Sequence, residues 1–385
     1  MKKNKLLVQL ILGFIGAFLI VNWFFSEKQK FDELALGTET VTYTARNFKN
    51  ENIHISKIDR FEESSFIGSY QKAINKNSIL FLGNSQTHSI NQMKQGQVNY
   101  IRLLSDSDIN NKLNVVCHSM PNAGLQEFYL SYMYWKDKIK IKTLVIPLFF
   151  DDLREDGIRD VFFPNLIKNR FLIKDSLSYI GNKVNVNLKS YWSSNTKENK
   201  SADELENKDI SALKETVQED VENKINIFLQ KNCKSWSYRE NVRGDFFVWI
   251  YQLRNTVLGI KASTVRKMIP QRYKDNMEAL DLILSDCKKN NIKVLLYIPP
   301  IRSDVPIPYD RKAYNFFKKQ VEKKCVNEKN IFFYCDLDTI IPGKYWGYKE
   351  STNLLEKREV DYMHFQFEGH KILADSLHNQ LKFIQ

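Results

Sequence analysis

The sequence predicts an α/β fold in which a five-stranded parallel sheet carries helices on both faces. Short, continuously apolar runs alternate with longer segments whose apolar residues recur at spacings of three and four. A run that is apolar at every position is typical of a strand buried on both faces, and the wider spacing is typical of an amphipathic helix. Strands that alternate with helices favour a parallel sheet, because each parallel pair needs a crossover connection.

Five apolar runs are predicted to be the strands of this sheet. They are SILFLG (78–83), LNVVC (113–117), TLVIPLFF (143–150), IKVLLYIPP (292–300) and NIFFYCDL (330–337). The alternation loosens between residues 151 and 275, and the stretch 193–209 is so polar that it predicts an exposed, mobile loop. We therefore predict a domain over residues 76–385 that contains a helical insertion at about 151–275.

The first 26 residues predict a membrane anchor. Lys2, Lys3 and Lys5 precede an apolar segment at 6–25, which is long enough to cross a bilayer. The exit from this segment lacks the small-residue cleavage pattern of a signal peptide, so an uncleaved anchor is favoured. Because the lysines stand before the segment, the N-terminus is predicted to be cytoplasmic and the rest of the chain extracytoplasmic. Residues 27–75 are interpreted as a stalk and lead-in.

The charge and the cysteines limit the classes of partner. A net charge of +12 and a pI near 9.2 favour an anionic partner, such as a membrane surface, an acidic polymer or nucleic acid. The chain has no RNA-recognition, helix-turn-helix or zinc-finger spacing, so we predict no nucleic-acid partner. Its five cysteines form no CxxC pair, and no metal or cofactor is predicted. Cys325 and Cys335 could form a disulfide, or Cys335 could be buried as a small apolar residue.

The residues that predict chemistry lie near the two ends of the domain. Sites in parallel sheets form beyond the carboxyl ends of the strands. Ser85 follows the first strand and is either an exposed hydroxyl at the start of a helix or simply an N-cap. Asp361 and His364 are predicted to lie on the turn before the last helix. A carboxylate that fixes the tautomer of an imidazole makes it a base that activates a serine, so these three residues predict a catalytic triad.

These residues resemble the SGNH or GDSL hydrolase superfamily. Its first block, a strand followed by Gly-Asp-Ser, is similar to residues 83–85, where asparagine replaces the aspartate. Its last block, Asp-x-x-His before a helix, is matched by Asp361 and His364. The resemblance implies a three-layer α/β/α domain in which Ser85 is the nucleophile, His364 the base and Asp361 the residue that orients the base.

The resemblance also implies an oxyanion hole, which this sequence matches only in part. Gly124 after the second strand is the best match to the family's glycine donor, beside the N–H of Ser85 itself. The third block departs from the pattern, because residues 147–152 read PLFFDD and lack the usual asparagine donor. Asn122 could replace that donor, although a role in a turn is at least as well supported.

Four further residues at strand ends are candidates for substrate binding. His118 could line the pocket or be a packed loop histidine, and Arg302 could bind an anion. Asp151 and Asp152 could bind substrate or a metal, but a lone aspartate pair is weak evidence for a metal site.

The predicted anchor and the proline pair at 299–300 resemble one branch of the superfamily, the membrane-anchored proteins that include DltD and alginate O-acetylation proteins. The resemblance implies an enzyme that works beside a membrane-bound O-acyltransferase. The predicted function is therefore a serine acyltransferase in the O-acylation of a surface polysaccharide or a teichoic-acid-like polymer. The alternatives are an esterase of the same fold and a non-catalytic, membrane-tethered scaffold.

Overall fold

The computed structural model describes residues 40–42, 45–73, 77–107, 114–174, 178–199 and 249–384, together with Gly13. The strands are β1 (Thr40–Thr42), β2 (His54–Ile55), β3 (Asn77–Gly83), β4 (Ser89–Asn91), β5 (Asn114–Ser119), β6 (Lys140–Pro147), β7 (Lys293–Tyr297), β8 (Ile331–Tyr334), β9 (Trp346–Glu350) and β10 (Arg358–Phe365). The labelled helices are α1 (Arg60–Lys72), α2 (Ser85–His88), α3 (Tyr100–Ser105), α4 (Leu125–Trp135), α5 (Pro164–Lys168), α6 (Tyr179–Asn199), α7 (Pro270–Lys289), α8 (Arg311–Cys325) and α9 (Phe367–Ile384). Short 3₁₀ turns lie at Asp152–Arg154, Asp160–Phe162, Asp336–Thr339 and Gly343–Tyr345.

The main sheet is parallel and has six strands in the order β2-β5-β3-β6-β7-β8. All five predicted strands are present, and the prediction of a parallel α/β sheet is confirmed. The predicted strand number is wrong by one, because β2 joins the edge beside β5. This strand has only two residues, so no apolar run in the sequence marks it.

Both faces of the sheet are buried under helices. Along β3, Leu80 and Leu82 belong to one apolar core, whereas Ile79 and Phe81 belong to the other. The first core also receives side chains from α1, α4, α7 and α8, and the second from α3 and α9. Burial on both faces explains why the strands read as continuously apolar instead of alternating with polar residues.

The described chain divides into two compact units, and the larger one carries the sheet. This unit includes residues 45–73, which the sequence had assigned to a stalk and lead-in. Ile55, Ile58 and Phe66 of that segment lie in the first core. Part of the predicted insertion belongs to the same unit, and residues 193–199 of the predicted polar loop are the last residues of α6.

The smaller unit contains the described residues 249–261 and 350–359. Residues 249–257 form a helix whose polar side chains bond within this unit. Gln252 donates to the carbonyl of Ser351 at 3.1 Å, and Asn255 donates to the carbonyl of Thr352 at 2.8 Å. Large apolar side chains of this helix, including Val257, are exposed. The polar side of the helix is therefore the packed side.

The predictions about the membrane anchor and the cysteines concern residues of which only some lie within the described ranges. The predicted anchor at 1–26 lies outside them except for Gly13, and within them no helix has the length and hydropathy of a membrane span. Cys233 also lies outside them. Cys325 and Cys335 are both free thiols, so the disulfide considered from the sequence is not formed in this structure.

Candidate active site

The turn that carries Ser85 lies directly after β3, an interior strand of the sheet. Asn84 caps the short helix α2, and its side-chain oxygen accepts the N–H of Gln86 at 3.1 Å. A Cβ atom on Gly83 would lie 2.1 Å from Oγ1 of Thr87 and 2.7 Å from its Cβ atom, closer than atoms can approach. Glycine at position 83 therefore lets α2 fold tightly back against the strand end, with Ser85 as its first residue.

Asp361 and His364 lie on β10, so the prediction that they sit on a turn before the last helix is wrong. The local backbone still explains their spacing. Oδ1 of Asp361 accepts the N–H of Met363 at 2.9 Å and the N–H of His364 at 3.0 Å. The carboxylate thus ties down the backbone of the residue that it faces, and its second oxygen remains for the imidazole ring.

The structure brings Ser85, His364 and Asp361 into one hydrogen-bonded row. Nε2 of His364 lies 2.9 Å from Oγ of Ser85, and Nδ1 of His364 lies 3.1 Å from Oδ2 of Asp361. Asp361 and His364 are buried, with 1% and 6% of their surfaces exposed, whereas Ser85 is only partly buried. Ser85 is therefore partly open to solvent, while the two groups that would activate it are shielded from water.

The charge state of Asp361 fixes the proton positions in this row. Burial alone would raise the pKa of Asp361, but the attraction and hydrogen bond of His364, with Lys349 and the Met363 N–H, lower the pKa below its ordinary value. An ionised carboxylate only accepts hydrogen bonds, so Nδ1 of His364 must carry a proton. In the neutral ring, Nε2 is then free to accept the hydroxyl proton of Ser85, as a general base must.

His370, six residues after His364 in the sequence, has a structural role. Its ring is fully buried, and Nε2 donates to the carbonyl of Ser89 at 3.0 Å. Nδ1 accepts the N–H of Tyr100 at 3.3 Å, and the ring stacks on the Tyr100 ring. Burial lowers the pKa of His370 to about 3, so the ring stays neutral. It joins α9 to the strand that follows the Ser85 turn.

Asp152 meets the Ser85 turn through Asn84. Nδ2 of Asn84 lies 3.1 Å and 3.4 Å from the two carboxyl oxygens of the buried Asp152. Burial raises the pKa of Asp152 well above its ordinary value. Repulsion from Asp151, Glu155 and Glu127 raises this pKa further, against the hydrogen bond from Asn84. Asp152 was predicted as a possible ligand of substrate or metal, and in the structure it holds Asn84, the residue beside Ser85.

The predicted oxyanion donors have different surroundings. No acceptor for the Ser85 N–H is present within the described ranges, and its role as an oxyanion donor stays a prediction. The N–H of Gly124 instead donates to Oε2 of Glu127 at 3.2 Å, at the start of α4. Asn122 is exposed at a turn with a φ of +52°, which agrees with its interpretation as a turn residue. Oxyanion roles for Gly124 and Asn122 stay predictions.

Two of the other candidates for substrate binding have partners inside the protein. His118 is fully buried in β5, and its Nδ1 accepts the Trp135 indole N–H at 3.1 Å. Burial lowers the pKa of His118 to about 3. Arg302 is also buried and donates twice to Asp304, at 2.8 Å and 3.1 Å. Both side chains therefore have partners inside the protein, and their roles in substrate binding stay predictions.

Asp151 is half-buried and accepts hydrogen bonds from three side chains. Arg154 donates at 3.3 Å, Tyr309 at 3.0 Å, and Arg266 forms a further ion pair. Tyr309 also lies 3.7 Å from the sulfur of Met363, the residue beside His364. Asp151 therefore holds Arg154 and Arg266 close to β10. Across the described part of the chain, no cluster of three His, Cys, Asp or Glu side chains could hold a metal ion.

Sequence reasoning did not single out Gln86, although it lies next to Ser85. Its side chain contacts both β10, which carries His364, and the loop after β7. A glutamine carries no sequence signal of its own, because its role depends on carbonyl groups that are remote along the chain.

No protein-family model and no curated protein matches this sequence. Solved structures similar to this chain include a Streptococcus pneumoniae protein provisionally named as a platelet activating factor. It has 9% identity over 83% of this chain and 90% of that one, with a TM-score of 0.34. They also include a Bacteroides fragilis protein provisionally named an acylhydrolase, with 11% identity over 86% of this chain and 100% of that one and a TM-score of 0.37.

Proposed function

We propose that the chain is a serine-dependent enzyme that cleaves an ester or thioester and passes the acyl group on through Ser85. The observation that supports this most is the hydrogen-bonded row from Ser85 through His364 to Asp361, with distances of 2.9 Å and 3.1 Å. A serine hydroxyl is a weak nucleophile until a base takes its proton. Here the base is within proton-transfer distance, and a buried carboxylate holds its other nitrogen.

The proposed reaction has two steps. Oγ of Ser85 forms a bond to the acyl carbon as its proton passes to Nε2 of His364, and the carbonyl oxygen becomes an oxyanion beside the Ser85 N–H. The bond to the leaving alcohol or thiol then breaks, and that group takes the proton from Nε2. In the second step a hydroxyl compound or water gives its proton to Nε2 of His364 and bonds to the acyl carbon. The bond between that carbon and Oγ of Ser85 then breaks, and Oγ takes the proton back from Nε2.

The acceptor in the second step separates a transferase from an esterase. We propose transfer to a sugar or polyol hydroxyl of an anionic surface polymer, beside a membrane-bound O-acyltransferase and outside the cell membrane. The net charge of +12 and the apolar segment at 6–25 support an anionic acceptor and a membrane location. An esterase of the same mechanism would deliver the acyl group to water.

A fluorophosphonate probe, which reacts with activated serines, tests the shared first step. We expect the wild-type protein to be labelled and S85A to be unlabelled. S107A is the matched control, because Oγ of Ser107 also lies beside a histidine ring, 3.1 Å from Nδ1 of His378. Labelling that survives in S85A, or an unlabelled wild-type protein, would contradict the proposal.

Mass analysis of surface glycans tests the second step. In a strain that carries S85A, a transferase predicts loss of acyl groups from the polymer, whereas an esterase predicts their excess. Unchanged acylation would contradict both forms of the proposal.

A further inference from the structure

Gln86 connects the nucleophile turn to two remote parts of the fold. Its side chain is buried, with 3% of its surface exposed. Nε2 donates to the carbonyl of Pro300 at 2.9 Å and to the carbonyl of Met363 at 2.7 Å. These acceptors are 214 and 277 residues further along the chain. One amide group therefore joins the turn after β3 to the loop after β7 and to β10.

The two acceptors also fix the orientation of the amide. A carbonyl oxygen only accepts, so the NH₂ end of Gln86 must face both carbonyls, and each of its two hydrogens has an acceptor. The backbone N–H of Gln86 donates separately to Oδ1 of Asn84 at 3.1 Å. The cap of α2 thus holds the backbone of Gln86, and β10 holds the end of its side chain.

The Met363 carbonyl lies in the segment that must be placed accurately. Met363 is between Asp361 and His364, and its own N–H is bound by the Asp361 carboxylate. A bond to this carbonyl therefore acts on the backbone that carries the imidazole. Helix α2 has only four residues, too few to be stable alone, so tertiary contacts must set its position.

We propose that Gln86 is a positioning residue that holds Oγ of Ser85 at proton-transfer distance from Nε2 of His364. This inference rests on the proposed function, because it matters only if Ser85 is activated by His364. Gln86 does not touch the reacting atoms. Its effect passes through the separation of two segments, and a misplacement of about 1 Å can lower a rate about 100-fold.

Substitutions that remove or reverse the donor test this inference. Q86M keeps the approximate size of the side chain but has no N–H group on that side chain. Q86E places a carboxylate opposite two carbonyl oxygens, which it repels. We expect the second-order rate of fluorophosphonate labelling to fall about 10- to 100-fold in Q86M and further in Q86E. Q86N keeps the amide on a shorter side chain, and we expect it to react at a rate between those of Q86M and the wild type.

N185L is the matched control for a general loss of stability. Asn185 is also buried, and its amide makes two bonds to the backbone of Ile173, at 2.9 Å and 3.0 Å. We expect N185L to lower the melting temperature and to keep the labelling rate within about threefold of the wild type. All rates are measured below the melting temperature of each variant.

Three outcomes are distinguishable. Slow labelling of folded Q86M and Q86E, with N185L close to the wild type, supports positioning by Gln86. Labelling of Q86M at the wild-type rate overturns the inference and leaves the proposed function intact, provided that S85A stays unlabelled. An unlabelled wild-type protein overturns the proposed function itself.

Discussion

Nε2 of His364 lies 2.9 Å from Oγ of Ser85, although the two residues are 279 positions apart in the sequence. The contact joins the turn after β3 of the parallel sheet to the end of β10, which pairs with β9 in a separate two-stranded sheet. The chemistry proposed for Ser85 depends on this contact and on the groups that maintain it.

Replacing Asp361 by asparagine tests the tautomer of His364. The amide of D361N can donate to Nδ1, which would leave the proton on Nε2 and prevent it from accepting the proton of Ser85. We expect the rate of acyl-enzyme formation to fall about 10⁴-fold with little change in fold. D338N is a control, since Asp338 bonds Tyr314 and Lys318 instead. Stopped-flow hydrolysis of an activated ester measures the effect, and a D361N rate within tenfold of the wild type would contradict it.

The lowered pKa of Asp361 also predicts how stability depends on pH. A carboxyl group whose pKa is lower in the folded state stabilises the fold above its unfolded pKa, near 3.8, and this contribution is lost as the pH falls through the folded value. We expect the difference in unfolding free energy between the wild type and D361N to shrink as the pH falls from about 5 towards 3. Urea titrations at several pH values measure it, and a difference independent of pH would count against an ionised Asp361.

The raised pKa of Asp152 predicts the opposite pH dependence of stability. Its pKa is raised in the folded state, so its contribution is fully present below the unfolded pKa near 3.8 and is lost as the pH rises through the folded value. D152N keeps an acceptor for Asn84 and removes the ionisation. We expect D152N to be more stable than the wild type at pH 8 by thermal unfolding, with the advantage reduced near pH 4. A lower melting temperature at pH 8 would show that the ionised carboxylate is needed.

Replacing Gly83 by alanine tests the role of the tight turn that carries Ser85. An alanine there would collide with the side chain of Thr87, so we expect G83A to displace α2 and slow fluorophosphonate labelling. Adding T87G removes the colliding atoms, and we expect the double variant to recover part of the rate. G68A is the control, because no atom lies within 4 Å of the new Cβ position. Full labelling of G83A would contradict this account of the turn.

The sequence predicted the sheet well because burial on both faces leaves a direct trace in composition. The five apolar runs correspond to strands, whereas β2 escaped notice because two residues are too few to form a pattern. The segment around Asp361 was mistaken for a turn, since the start of α9 and the end of β10 are only two residues apart.

The candidate site was predictable where chemistry restricts the residue type and not where it depends on packing. A serine, an imidazole and a carboxylate form a recognisable set, and the structure brings these three together. The burial of His118 and the bond from Arg302 to the carbonyl of Gly347 depend on distant contacts, as do the two carbonyls held by Gln86. No local pattern in the sequence carries that information.

Peptide mass spectrometry after treatment with a fluorophosphonate tests the central claim most directly. We expect one phosphonylated residue, Ser85, in the wild-type protein and none at that position in H364A, where the base is missing. Modification of a different serine, or equal modification of Ser85 with and without His364, would contradict the claim that His364 activates Ser85.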